Sequence, residues 1–480
     1  MSYKPTIGLE IHSELLTRTK MFCDCDNDPS EIKPNINVCP ICLGHPGTLP
    51  KINKEAVDLV IKTGLALNCT INKFSKFDRK NYFYPDLPKA YQISQYDKPI
   101  CLNGYLTLPS SGKKIRITRI HLEEDTGRLA HSADGNHSLV DFNRAGVPLM
   151  ELVTEPDIAN ADEAVEFARE FQLILRYLEV SDADMEKGHM RVEVNISIAK
   201  EGEPLGTKVE IKNLNSFRAV FGSIECEVQR QEEELENGKK IPQETRGWDD
   251  IKQKTISQRL KEEAHDYRYF PEPDLPPMIF SDEYINKIKN SISELPEQKR
   301  IRFSSDYNLS NIQIELLISD KNFSDFFEKS VSELRELDIN GNPEIIYNYL
   351  TSDVKGIESD KKINLNQSKL EPKYLAQVIY LLSSDKISSR VAKDVLAKSF
   401  DTGKSPEDII KDEGLLQVSS ENELETAVNE VIEKNEKVCY DYKNGKDNAL
   451  QFLVGQIMAK TKGKANPKVV RELLIKLINK

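Results

Sequence analysis

Four cysteines in two short pairs carry the sharpest chemical signal in this 480-residue chain: Cys23-Asp-Cys25, thirteen residues, then Cys39-Pro-Ile-Cys42. Each pair brings two thiols into one tight turn, and four thiolates satisfy the tetrahedral preference of zinc. Such a set leaves no position open for water or substrate, so it predicts a structural staple rather than a catalyst. The alternative is four reduced cysteines in a long loop. The other four, Cys69, Cys101, Cys226 and Cys439, are scattered. That is intracellular usage rather than a disulfide framework.

Carboxylates and imidazoles come next. In Gly8-Leu-Glu-Ile-His12, period-two alternation puts Glu10 and His12 on one strand face and Leu9 and Ile11 on the other. Side by side, Glu10 and His12 could hold a divalent cation or share a proton; a solvated strand face would look the same. His121-Leu-Glu123-Glu124-Asp125 sets three acids in a row, which repel unless solvated or bridged by a cation. The run from Asp141 through Asn143, Arg144 and Gly146 to Glu151 crowds polar groups, glycine and proline as a constrained site does. Arg191, Glu193 and Asn195 share one strand face, and Lys208, Glu210 and Lys212 share another. The turn-rich Lys200–Gly206 between them predicts an antiparallel hairpin. Its alternating signs are either cross-strand ion pairs, each worth under ~1 kcal/mol, or a polar floor suited to phosphoryl transfer. Arg79, Lys80, Tyr82 and Tyr84 suit a nucleotide or an RNA end, or an aromatic-rich core strand.

The elements that must position these groups divide the chain in two. All seven histidines and the one tryptophan lie at or before His265, and eighteen of twenty-three prolines at or before Pro277. Phe270–Pro277 holds four prolines and predicts an extended strap. The first part predicts an α+β fold, because strands and helices such as 161–179 and 217–237 follow no regular βαβ order. Beyond a boundary near residue 290 the spacing is helical, as in Leu375, Val378, Ile379 and Leu382. Asp401–Pro406 predicts a linker. The length predicts two to four domains.

The net charge of −12 argues against a general nucleic-acid coat. Yet from Lys443 to Lys480 nine Lys or Arg stand against Asp447 and Glu472, a tail that fits either RNA phosphates or a solvated helix end. No stretch approaches the ~20 apolar residues of a membrane helix, and the start runs straight into a strand-like segment, an expectation of no targeting peptide. Asp401-Thr-Gly-Lys-Ser405 is not a P-loop, since Lys398 stands where the first glycine belongs. No dinucleotide-binding glycine fingerprint or serine-hydrolase elbow is present.

Several long motifs are similar to those of the GatB family, the B subunits of the tRNA-dependent amidotransferases. They are Gly8–His12, Lys76–Asp86, Lys89–Gln95, His121–Asp125, Asn143–Gly146, Glu210–Ser216, Asp266–Asp274, Asp441–Lys446 and Phe452–Met458, spread over the full length. The resemblance implies a cytoplasmic ligase subunit. With ATP and Mg²⁺ it would activate the side-chain carboxylate of Glu-tRNA(Gln) or Asp-tRNA(Asn) as an acyl phosphate. The amidase subunit would act as glutaminase and supply the ammonia, and the small subunit would tie the two together in a heterotrimer. It implies a cradle at 1–290 whose core resembles the glutamine synthetase fold, with the cysteine insertion at 23–42. Two helical domains would follow at 291–405 and 406–480. Carried over by motif, Glu10, His12, Glu124 and Glu151 would hold Mg²⁺, with Glu123 and Asp125 close alternatives in register. Arg79, Lys80, Lys208, Glu210 and Lys212 would face ATP or the acyl phosphate. Cys23, Cys25, Cys39 and Cys42 would hold structural Zn²⁺, and Lys460, Lys462, Lys464 and Lys468 would meet the tRNA body. Glu124→Gln is then expected to abolish activation. The competing readings are a non-catalytic tRNA-binding scaffold and a free-ammonia ligase, which would not need the tail.

Overall fold

In a computed structural model, residues 3–28, 30–132, 134–260, 267–415, 421–443, 445–461, 465 and 467–479 are described. The chain divides into two compact units, Met1–Lys299 and Arg300–Lys480.

Among the described residues, the first unit contains sixteen strands: β1 (Tyr3–Glu14), β2 (Thr70–Ile71), β3 (Phe74–Ser75), β4 (Asp78–Asn81), β5 (Tyr91–Ser94), β6 (Cys101–Thr107), β7 (Lys114–Glu124), β8 (Arg128–His131), β9 (Ser138–Asp141), β10 (Pro148–Thr154), β11 (Met190–Lys200), β12 (Val209–Leu214), β13 (Glu244–Asp249), β14 (Lys254–Leu260), β15 (Phe270–Pro271) and β16 (Met278–Ile279). Nine form one sheet in the order β14-β13-β12-β11-β1-β10-β7-β6-β2. Its pairs are antiparallel except β12 with β13, so the sheet is mixed. The fold class is α+β, as the irregular element order implies. The hairpin β11–β12 is antiparallel, with Asn195 opposite Glu210.

Alternation decides which face of the sheet is dry. Ile7, Leu9 and Ile11 of β1, Ile120 and Leu122 of β7, Met150 and Leu152 of β10, and Val192, Val194 and Ile196 of β11 are fully buried and share one core. Three helices, α1 (Lys54–Ala66), α2 (Ala161–Tyr177) and α3 (Phe217–Glu236), complete that core with Val60, Ile61, Phe167, Phe171, Val220 and Ile224. Each side chain so buried contributes roughly 1.5–3 kcal/mol of transfer free energy. The starts of the helices are fixed locally. The side chains of Asn53, Asn160 and Ser216 accept from the backbone N–H of Ala56, Glu163 and Ala219.

The proline-rich strap is extended. β15 pairs with β4 and β16 with β3, and the Arg79 guanidinium clamps it by a bidentate bond to Glu272 at 2.7 and 2.9 Å.

The second unit is helical among its described residues. Leu375 and Ile379 pack with Phe303, Phe327 and Leu350. Helices Ser389–Thr402 and Pro406–Glu413 are joined by a short turn at Gly403–Ser405. Ile409 and Ile410 pack with Val378, Val391 and Val395, so the chain on both sides of residue 405 shares one core. Residues 424–478 build another, from Leu424, Val428, Leu453, Ile457, Val470 and Leu474. Among the described residues no helix is long and apolar enough to cross a membrane.

Candidate active site

The other face of the nine-stranded sheet is polar because the same alternation turns every second residue to it. Cross-strand register then makes neighbours of residues far apart in sequence. His12 lies opposite Glu151 on one side and Arg191 on the other, Glu10 lies opposite Glu193, and Glu151 lies opposite His121. His12 Nε2 stands 3.3 Å from Glu151, 3.6 Å from Glu123 and 3.8 Å from Glu10. His121 Nε2 stands 3.6 Å from Glu151 and 3.7 Å from Glu123. Ligand atoms of Glu10, His12 and Glu151 lie within 4.8 Å of one another, as do those of His121, Glu123 and Glu151, and of Glu10, Glu193 and Glu210.

Of these groups, Glu10, His121, Glu151 and Glu210 line a cleft of about 760 Å³, and His12, Glu123 and Glu193 lie beside them. Lys80 and Arg119 enter it from one side, Lys212 from the other, and Tyr84, Tyr96, Tyr267 and Tyr269 wall it. Tyr96 and Tyr269 are stacked with centroids 4.2 Å apart. Lys212 Nζ lies 2.6 Å from Glu193 and 3.1 Å from Glu210.

So many buried acids cannot all stay ionised without positive charge. Burial, then the carboxylates of Glu151 and Glu193, push Glu10 up to about 7. Burial pulls His12 down, but its hydrogen bond to Glu151 and the charges of Glu151 and Glu123 overcome it and carry the imidazole to about 9. Burial opposes the ionisation of Glu151, yet His121 and His12 hold it well below the carboxylate range. Lys80 is treated the same way: burial disfavours its charge, and Glu123, with Glu151, restores it and lifts the ammonium above its ordinary value. An oxygen-rich set with a protonated carboxyl and a proton-holding imidazole fits a hard divalent cation, which would displace those protons. Both must lose a proton to bind, so affinity for Mn²⁺, as a probe of Mg²⁺, should rise by up to about a hundredfold per pH unit below pH 7, where both are protonated, and by up to about tenfold per unit from there to pH 9, where only His12 is, with protons released on binding. Calorimetric titrations in buffers of different ionisation enthalpy check this. An affinity that is independent of pH, without proton release, would exclude this set as the cation site.

The structure sorts the residues expected from sequence. Glu10, His12 and Glu151 come together; Glu124 does not join them. On β7, Arg119, His121 and Glu123 face the cleft, while Ile120, Leu122 and Glu124 face the other way. Glu124 accepts from Lys89 Nζ at 2.5 Å and from the backbone N–H of Ile93 at 2.9 Å. Asp125 is buried between Arg191 at 3.0 Å and Arg144 at 3.6 Å. Lys80, Glu210 and Lys212 line the cleft. Arg79 does not, because Glu272 holds it and Tyr91 stacks on it at 4.2 Å. Lys208 borders a separate cleft of about 300 Å³ with Thr6, Gly8 and Asn195. In the tail, Lys460 is ion-paired with Glu430, Lys468 lies in the first turn of the helix Pro467–Ile478, and Lys462 and Lys464 lie outside the described residues. Glu193, read from sequence as part of a polar hairpin floor, lies beside the site, while His121, Tyr267 and Tyr269 join it without having been assigned to it. Alternation along β7 puts His121 on the same face as Glu123, an alternative ligand by motif, and would have found it.

The four cysteines converge as their spacing implied. Their sulfurs lie within 4.8 Å of one another, all are free thiols, and Cys39 and Cys42 Sγ are 3.9 Å apart. Tetrahedral Zn–S bonds require a sulfur spacing of about 3.8 Å, so the set fits zinc. The backbone N–H of Cys39 donates to Cys42 Sγ at 3.1 Å.

Comparison with known proteins agrees with this geometry. A family model described as GatB/GatE catalytic domain matches residues 5–286, and one described as GatB domain matches residues 325–478. The chain is 48% identical over 484 residues to the B subunit of the aspartyl/glutamyl-tRNA(Asn/Gln) amidotransferase of Thermoanaerobacter pseudethanolicus, with 100% of both chains covered. It is 48% identical to that of Caldicellulosiruptor bescii, covering 99% of this chain and 98% of the relative. It is 45% identical to that of Thermotoga petrophila, covering 100% and 99%. With matches along the whole length and a carboxylate-lined cleft in the part matched as catalytic, the chain belongs to the GatB family, the B subunits of the aspartyl/glutamyl-tRNA amidotransferases.

Proposed function

We propose that this chain activates the side-chain carboxylate of Glu-tRNA(Gln) or Asp-tRNA(Asn) by ATP-dependent phosphorylation, in the cleft lined by Glu10, His121 and Glu151 and backed by His12 and Glu123. As a component of a tRNA-dependent amidotransferase it belongs to a ligase-type complex. Its partners in this reading are the amidase subunit, the small subunit and the misacylated tRNA, and its place is the cytoplasm. The observation that carries the reading is the convergence of carboxylates and imidazoles from three strands beside Lys80 and Lys212, in one cleft.

Each residue has a task that its position supports. Glu10, His12, Glu123 and Glu151, with Glu193 and Glu210 beyond them, would hold Mg²⁺, which supplies charge neutralisation for the transferring phosphoryl group when bound. Lys80, Arg119 and Lys212 present positive charge to the phosphates. The tyrosine wall offers flat faces for a base, at about 1–3 kcal/mol per stacked base. The open polar face over an antiparallel hairpin supports the cradle reading, with a core like that of glutamine synthetase. The helical body around Leu424–Ile478, which carries Lys460 and Lys468, supports a role in holding the tRNA. A non-catalytic scaffold would have no use for buried acids held on both sides by lysines.

The test is transfer of the ATP γ-phosphate to Glu-tRNA(Gln) in the heterotrimer, with the glutaminase of the amidase subunit blocked and no ammonia added. A Mg²⁺-dependent acyl phosphate is expected. Intact tRNA binding without phosphorylation would overturn the reading in favour of the scaffold. Cutting the chain before Asp441 should weaken tRNA binding and flatten its salt dependence; unchanged affinity would remove the tail from the tRNA contact.

A further inference from the structure

Lys20 is an unusual place for a positive charge. Only 1% of the residue is exposed, and lysine is almost never so deeply buried unless paired. Its ammonium donates to the carbonyls of Asn37 at 2.6 Å and Phe142 at 3.3 Å and lies 4.0 Å from Cys42 Sγ. Two carbonyls return only part of what an ammonium loses on leaving water. The nearby carboxylate of Glu124 is already taken by Lys89. The sulfur side offers what an ammonium needs. Four thiolates around one divalent cation carry two net negative charges, and Cys42 presents one of those sulfurs to Lys20.

The backbone around Lys20 faces two ways. Its N–H donates to the Cys25 carbonyl at 3.0 Å, inside the cysteine loop. The N–H of Met21, next in the chain, donates to the Gly146 carbonyl at 2.7 Å, and the N–H of Gly146 donates to the Asp125 carbonyl at 2.9 Å. Gly146 has φ +87°, and a side chain there would begin 3.5 Å from Cys42 Cβ and 3.6 Å from the Lys20 stem. The left-handed backbone favours glycine there, and it lets the two segments approach closely. Asp125 in turn holds Arg191, which sits opposite His12 in the sheet.

We propose that Lys20 is the charge partner of the tetrathiolate metal centre, and that through the Phe142 carbonyl it fastens that centre to the segment carrying Arg144 and Gly146. It is a positioning residue: it touches neither substrate nor the cleft. Lys20 thus joins the cysteine loop to the rim of the active face, and the loop keeps its shape only while metal, thiolates and ammonium are all in place.

The proposal rests on the four cysteines holding zinc, so the first reading is the zinc content of the full-length wild-type chain. A chain purified without zinc, and unable to take one equivalent, overturns the tetrathiolate reading and this proposal together. With zinc present, its transfer to a chromogenic chelator is timed for wild type, Lys20→Met and Lys20→Gln. Both substitutions remove the charge, and the glutamine keeps a donor for the two carbonyls. Zinc is expected to leave both variants about 10–100-fold faster than wild type, as for other residues that orient metal ligands. Wild-type release from Lys20→Met overturns the proposal while leaving the zinc site standing. Fast release from Lys20→Met alone makes the hydrogen bonds, not the charge, responsible, and overturns the charge pairing. A wild-type measurement guards against a variant that fails to fold: reductive methylation of zinc-loaded and zinc-stripped chain, read by mass spectrometry at Lys20. Protection with zinc and modification without it is expected. Equal modification in both states overturns the coupling.

Discussion

Glu151→Gln should lower acyl-phosphate formation by about 10²–10³-fold, the range for removing one charged group that stabilises a transition state, with tRNA affinity unchanged. Glu151 is the centre of the acidic floor. It stands 3.3 Å from His12 and 3.6 Å from His121, and it belongs to two of the candidate ligand sets at once. Glutamine keeps the volume and removes the charge, so the sheet stays packed while the pull on cation and imidazoles is lost. His12 should then titrate nearer its ordinary value, because Glu151 is the largest of the influences that raise it. The measurement is γ-phosphate transfer at saturating ATP, with filter binding of Glu-tRNA(Gln) alongside. Normal transfer would remove Glu151 from the site. Glu124→Gln separates the two acids. It disturbs the pair with Lys89 on the opposite face and should leave Mn²⁺ affinity at the cleft as it is.

Glu227→Ala should destabilise the first unit by about 3–5 kcal/mol, the cost of stripping one partner from a buried ion pair. The Glu227 side chain is fully buried in α3. It accepts from Arg230 at 2.6 and 3.0 Å, from Gln231 at 2.8 Å and from Thr255 at 3.0 Å, with Arg246 3.5 Å away. Alanine would leave Glu244 as the carboxylate that Arg230 and Arg246 share, with Arg246 keeping its bonds to Thr255. This network fastens β13 and β14, the edge that brings Thr245 and Gln258 to the cleft, against α3. Urea unfolding followed by the fluorescence of Trp248 on β13 reports it directly. A loss below ~1 kcal/mol would show that the network is no more than a surface pair.

Some of this site was legible in the residues alone. Cys23, Cys25, Cys39 and Cys42 declare themselves because two turns of fixed length hold their thiols together whatever the rest of the chain does. Glu10 and His12 declare themselves because Leu9 and Ile11 between them must be buried, which turns both polar groups to the other face. The same rule explains where the reading of three consecutive acids stopped short. Charge says that Glu123, Glu124 and Asp125 are crowded, but only parity says which way each points. On β7 the parity set by Ile120 and Leu122 sends Glu123 to the cleft and Glu124 to Lys89. Arg79 illustrates the opposite limit. Its type suits a phosphate, yet Glu272, far along the chain, claims it, and nothing local to Arg79 announces that partner.

The period of the strands, the caps of the helices, the cysteine pairs and, through the long motifs, the family were all written in the order of the residues. Each depends on groups within a few positions of one another, where backbone geometry is set by sterics and short hydrogen bonds. Long-range packing alone made one cluster of His12, His121, Glu123 and Glu151, buried Lys20 beside Cys42, and turned Lys80 to the cleft while Arg79 clamps the strap. Those outcomes follow from strand order and register. The order β11-β1-β10-β7 is chosen by the burial of the whole apolar face at once, a cooperative sum that no local window of residues contains.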